Sequence, residues 1–309
     1  DHATESKRAN RIMSTTDAQR TQMKNGKGFV AALDQSGGST PKALSLYGVE
    51  PSDYSGDAEM FKAMHDMRAR IILADDFTSE KVLGAILFER TMDDTINGKP
   101  VADLLWDDRG VVPFLKIDKG LEDEVNGVQL LKPMPDLDSL LKRAKAAGIF
   151  GTKERSVIHG ANAEGIASAV AQQFAVAKAV CDAGLVPIIE PEVNIHSDSK
   201  AECEAILKAE LEKHLATLPK NELVMLKLTL PEVSGHYASL ADHPNVLRVV
   251  ALSGGYSTDV ACTRLNQNPK MIASFSRALT EGLNVKMSDA EFNTALGKNI
   301  TKIYNASVA

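Results

Sequence analysis

From Gly28 onward, short apolar runs alternate with longer amphipathic stretches. This alternation limits the chain to strand–helix units around a parallel sheet. Eight runs read as strands: 28–33, 84–88, 111–117, 149–152, 185–190, 223–228, 246–252 and 271–274. The segments 136–147, 162–183 and 199–218 repeat apolar residues at three and four positions, which is helical spacing. Ser257 or Thr258 is placed to cap a helix over 257–266. Ser288 and Glu291 spell a capping box opening a helix over 288–305. The stretch 68–74 is open between a ninth strand and a helix end. Eight such units in 309 residues predict an α/β fold of one domain, a (β/α)8 TIM barrel. Residues 1–19, polar and mixed in charge, are expected to be a disordered arm or tag remnant, leaving 20–309 as the barrel.

Charge and cysteine content exclude several classes of function. A net charge of −6 and a sequence pI near 5.7 leave no global basic field for nucleic acid or a membrane surface. No run of 18 apolar residues offers a membrane span. Cys181, Cys203 and Cys262 are far apart and form no CxxC pair, which fits a reducing compartment and no structural zinc. A cytoplasmic protein is expected. Because the chain begins at Asp1, plastid stroma after transit-peptide removal is the alternative.

In a barrel of this kind the chemistry sits at the C-terminal ends of the strands. The first strand ends at Asp34, followed by a small-residue loop containing Ser36 and Ser39. The third carries Lys116 and Asp118, and the fourth is followed by Lys153 and Arg155. The fifth ends in Glu190 and Glu192, and the sixth carries Lys227. A spacing of two puts side chains on one face of a strand. The cluster contains four cations and four anions, a balance that a poorly solvated mouth tolerates.

Lys227 lies in the run ELVMLKLTL. Burial there would lower its pKa and expose a free amine, a nucleophile toward carbonyls. By itself the run also suits a lysine that caps the strand and snorkels to water. After the seventh strand, Ser253, Gly254 and Gly255 form a turn whose N–H groups can cradle an anion, and Arg277 adds a bidentate donor. The Ser36–Ser39 loop, with Lys116, is expected to form a second anion site across the mouth. Two such sites point to a substrate with two phosphates. The seven histidines make no HxH or HExxH pattern, and no Walker loop or dinucleotide fingerprint is present, so neither a metal nor another cofactor is expected.

Several stretches resemble the class I, Schiff-base-forming fructose-1,6-bisphosphate aldolases of the bacterial-type branch. They include KNGKGFVAALDQSGGSTPK (24–42), VVPFLKIDKG (111–120), GTKER (151–155), GLVPIIEPEVN (184–194), LKLT (226–229), LSGGYS (252–257) and SFSRAL (274–279). The resemblance implies that Lys227 forms the Schiff base with the sugar ketone. It implies Glu190 as proton donor and acceptor, Asp34 as the base at the C4 hydroxyl, and Lys153 and Glu192 as neighbours tuning proton transfer. It assigns Lys116, Arg155, Ser36 and Ser39 to the 6-phosphate, and Ser253, Gly254, Gly255 and Arg277 to the 1-phosphate. The implied partner is a small-molecule sugar bisphosphate, and a homo-oligomer is left open. Animal and plant relatives have proline and asparagine where this chain has Leu228 and Thr229. Two other readings stand beside this one: another Schiff-base barrel lyase or transferase, and a non-catalytic or moonlighting scaffold on the same barrel.

Overall fold

The computed structural model describes residues 15–36 and 38–309. Eight parallel strands of its main sheet follow chain order: β1 (Phe29–Leu33), β2 (Val82–Leu87), β3 (Val112–Lys116), β4 (Gly151–Ile158), β5 (Val186–Val193), β6 (Val224–Thr229), β7 (Val246–Leu252) and β8 (Ile272–Ala273); a ninth, Val128–Gln129, pairs antiparallel with β4. Each of the eight pairs with the next, and β8 comes to lie beside β1, so the sheet curls into a nearly closed barrel. The expected TIM barrel is therefore the observed fold.

Helices wrap the outside. They include α1 (Gly56–Ile72), α2 (Leu137–Ala146), α3 (Ala163–Asp182), α4 (Lys200–Leu215), α5 (Thr258–Asn266) and α6 (Asp289–Ser307). Their starts follow local chemistry. The Asn162 side chain accepts from Gly165 N at α3, Ser257 accepts from Val260 N at α5, and Ser288 and Glu291 form the full capping box at α6. The stretch 68–74 is resolved as the end of α1 and the turn after it. Met60, Met64, Met67, Arg68 and Ile71 form the buried stripe of that helix, and their spacing is helical.

The strands are buried on both faces, and alternate residues divide between two cores. One set packs outward against the helices. The other fills the barrel with Val30, Leu83, Phe114, Ile188, Met225 and Val250. A helix over 15–25 closes the lower end. Its Met23 is fully buried, and Gln22 Nε2 donates to Leu83 O at 2.9 Å and to Gly110 O at 2.8 Å. Of the arm expected over 1–19, residues 1–14 lie outside the described residues. Residues 15–19 open this helix, with Gln19 buried. The barrel's floor is thus apolar and plugged, and polar side chains facing its axis gather at the upper end.

Candidate active site

The period of two carries β4, β5 and β6 from apolar floor to ionisable mouth. On β5 the inward series is Val186, Ile188, Glu190, Glu192; on β6 it is Met225, Lys227, Thr229; on β4 it is Gly151, Lys153, Arg155. Gly151 is needed below Lys153. A methyl there would stand 2.2 Å from Val186 O and 2.9 Å from the Phe114 ring. Strand β4 runs eight residues, through Ile158, where the sequence suggested an end at 152. Lys153 and Arg155 therefore lie within the strand and not beyond it. Pairing with the full length of β5 sustains it past the apolar run.

Four of these groups form one chain of charge. Lys153 Nζ is 2.6 Å from Asp34 Oδ2 and 3.1 Å from Glu190 Oε1. Glu190 Oε2 in turn lies 4.0 Å from Lys227 Nζ. Lys227 is 4% exposed, which rules out a snorkelling rim residue. Burial lowers its pKa; Glu190 pulls the other way, and the Lys153 ammonium adds to the lowering. Burial would raise the Asp34 pKa, yet Lys153 and then Lys227 outweigh it and hold the carboxyl at about 2. Lys153 is the opposite case. Desolvation opposes its charge, but Asp34 and Glu190 raise its pKa well above the ordinary lysine value. The two lysines are thus separated into a fixed cation and an amine that loses its proton more easily.

Glu192 sits one step further out. Arg155 Nε donates to its Oε2 at 2.9 Å, and Arg155 Nη2 reaches the same oxygen. Burial raises the Glu192 pKa against the pull of Arg155, and the Glu190 charge adds to the rise. Asp118 organises the neighbouring rim. It accepts from Arg155 N at 3.0 Å and from Gly120 N at 3.2 Å, and it lies 3.4 Å from Lys116 Nζ. Across the barrel, Ser253, Gly255 and Arg277 line one cleft of about 310 Å³. Gly254 and Gly255 have φ of 63° and 114°, the region that favours glycine. Such a turn presents N–H groups to an anion, with the Arg277 guanidinium alongside. Among the described residues no three His, Cys, Asp or Glu side chains are arranged to hold a metal ion.

A buried amine beside a carboxylate, between Lys116 on one side and the glycine turn with Arg277 on the other, suits imine chemistry on a carbonyl compound. Comparison with known proteins agrees. Residues 15–234 match the family model described as "Glycolytic: Fructose-bisphosphate aldolase class-I". The chain is 58% identical over 287 residues to the fructose-bisphosphate aldolase class 1 of Synechocystis sp., covering 93% of this chain and 96% of that protein. The chain belongs to the class-I fructose-bisphosphate aldolases. Two solved structures share the aldolase's fold. The fructose-bisphosphate aldolase of Plasmodium falciparum superposes with a TM-score of 0.74 at 21% identity, covering 96% of this chain and 95% of that one. A Corynebacterium glutamicum protein superposes with a TM-score of 0.53 at 15% identity, covering 97% of each.

The aldolase brings Asp34, Lys153, Glu190, Glu192, Arg155 and Lys227 together, as their strand positions suggested. It places the Ser36–Ser39 loop differently. Closure of the barrel sets β1 beside β8, and Gln35 Nε2 donates to Ser276 Oγ at 2.8 Å. The loop therefore stands two strands from Lys116 and two from the glycine turn, not across the mouth from that turn. Lys116, on β3, is the cation that faces β7 across the barrel.

Sequence reasoning missed one buttress. Arg68 is buried at the end of α1 and donates to Gln35 O at 2.6 Å and to Thr91 Oγ1 at 3.0 Å. Burial lowers its pKa to about 10, with Asp34 pulling upward. Its signal was available: a guanidinium at a position of the α1 stripe where the spacing calls for an apolar side chain.

Proposed function

We propose that Lys227 forms the Schiff base through which this aldolase cleaves fructose 1,6-bisphosphate. Its Nζ attacks the C2 carbonyl of the open-chain sugar. The carbinolamine loses water to give an iminium, with Glu190, the nearest carboxylate, moving the protons. Asp34 takes the C4 hydroxyl proton as the C3–C4 bond breaks, and that electron pair passes into the iminium to form an enamine. Glyceraldehyde 3-phosphate leaves; protonation of the enamine at C3 and hydrolysis release dihydroxyacetone phosphate.

A carboxyl held at about 2 is a weak base, and the same geometry answers this. Part of what holds it there is charge at Lys227, and that charge vanishes as the iminium becomes an enamine. Lys153 stays cationic beside Asp34 and Glu190, and Glu192 completes the wall around the amine. Ser253, Gly254, Gly255 and Arg277 take the 1-phosphate. Lys116 and Arg155 take the 6-phosphate, with Ser36 and Ser39 contributing from the β1 loop. The cleft shared by Ser253, Gly255 and Arg277 supports the first assignment, and the place of Lys116 opposite β7 supports the second.

The observation that carries the reading is Lys227, buried, with its pKa lowered and Glu190 Oε2 at 4.0 Å. Lys227→Arg keeps a cation but supplies no amine nucleophile. It should lower kcat at least about a thousandfold, the scale of losing a covalent catalyst, and a chelator should leave wild-type activity unchanged. Retained activity in the variant, or loss of wild-type activity to the chelator, contradicts the proposal.

A further inference from the structure

The ladder between β5 and β6 is short. The strands pair at Ile188 with Met225 and at Ile189 with Leu226, and the pairing ends there, one residue below Glu190 and Lys227. The reason lies in β5 itself. Backbone groups alternate sides along a strand, and the N–H and C=O of Val193 face β6. By the same alternation Ile189 and Pro191 face β6, and Pro191 has no N–H to give. The wall of the barrel is therefore unlaced at the height of the reacting groups.

Thr229 closes it again. Its Oγ1 accepts from Val193 N at 2.9 Å and donates to Val193 O at 2.8 Å. The residue is buried, and its methyl lies beneath the Gly254 turn, where a Cβ added to Gly254 would come 3.7 Å from it. One hydroxyl thus satisfies both backbone groups of Val193, next to Glu192. It does so from a strand position two residues after Lys227.

We infer that Thr229 is a positioning residue: its hydroxyl replaces the missing β5–β6 ladder and sets the distance between Lys227 and the Glu190/Glu192 strand. The inference rests on Lys227 being the Schiff-base lysine. Without the hydroxyl, the two strand ends are free to separate, and the amine and carboxylate lose their register. The proposed phosphate contacts on β3 and after β7, which lie on other strands, keep theirs.

Thr229→Val keeps the branched shape and removes only the hydroxyl. It should lower kcat about tenfold or more while KM for the bisphosphate stays within about twofold, since an orphaned buried backbone pair is worth a factor of this order. The acid limb of the pH–rate profile should move, because the separation of Lys227 from Glu190 sets part of the amine's pKa. Thr229→Ser should restore both. Thr229→Ala, normalised to the folded fraction by circular dichroism, gives the same reading if the valine variant does not fold. Wild-type kcat and pH profile in the folded valine or alanine variant, with only a lower melting temperature, overturn the inference. So does failure of serine to rescue. Borohydride trapping of the wild type on a lysine other than Lys227 defeats the proposed function itself, and so separates that failure from this one.

Discussion

At the scale of single residues, the site works by giving two neighbouring lysines opposite electrostatics. Lys153 has two carboxylates within 3.1 Å, whereas Lys227 has its nearest at 4.0 Å. Replacing Lys153 with methionine leaves Asp34 and Glu190 buried without their nearest cation. The variant should lose about 3–5 kcal/mol of stability in denaturant unfolding, the usual cost of breaking a buried pair. It should also move the acid limb of kcat/KM to higher pH, because one of the influences lowering the Lys227 pKa is gone. Asp34 makes a second prediction. Its carboxyl titrates at about 2 in the folded protein against 3.8 as a free group. A depressed carboxylate adds stability above the unfolded value and loses it as pH falls through the folded one. Unfolding free energy should therefore drop by about 2 kcal/mol on acidification from pH 4 to below 2, and Asp34→Asn should remove that component. Lys227 has the reverse economy. A buried base of lowered pKa costs stability as pH falls below its unfolded value, so Lys227→Met should melt at the wild-type temperature or higher at pH 7 while losing activity.

At the scale of elements, strand spacing and turn geometry place the groups. The two-residue period put Lys153 with Arg155, and Glu190 with Glu192, on shared faces, and this was legible from sequence because it needs no knowledge of neighbours. The helix caps at Ser257 and Ser288 were legible for the same reason, since a cap is a contact within four residues. Replacing Ser288 with alanine should cost about 1 kcal/mol in thermal unfolding without altering kcat. The glycine turn after β7 is more demanding. Gly254 has a positive φ, and a methyl there would meet Ile195 Cγ2 at 3.1 Å and Leu252 Cδ1 at 3.3 Å. Gly254→Ala should raise KM for the bisphosphate about tenfold or more through displacement of the turn, a penalty on the scale of an incompatible backbone. What could not be read from sequence was contact between elements: the short β5–β6 ladder, the Thr229 bridge, and which groups the buried Arg68 guanidinium reaches. Each depends on which strands lie side by side and how far their registers run.

At the scale of the whole molecule, eight strands of alternating pattern sufficed to foresee the barrel, and the barrel sufficed to bring the strand-end charges together. What a linear reading misjudged was where closure leaves Ser36 and Ser39, since β1 meets β8 and these residues stand to the side of the mouth. The same closure sets Lys116 on β3 opposite the glycine turn after β7, the two elements proposed to hold the phosphates. The fold itself is shared with proteins of 21% and 15% identity. No helix among the described residues is long and apolar enough to cross a membrane. The account comes down to one covalent bond at one residue. Borohydride reduction in the presence of dihydroxyacetone phosphate, followed by mass mapping of the peptides, tests it directly. The account predicts a single reduced adduct on Lys227, in the peptide carrying ELVMLKLTL; an adduct on Lys153, Lys116 or any other lysine, or no adduct at all, contradicts it.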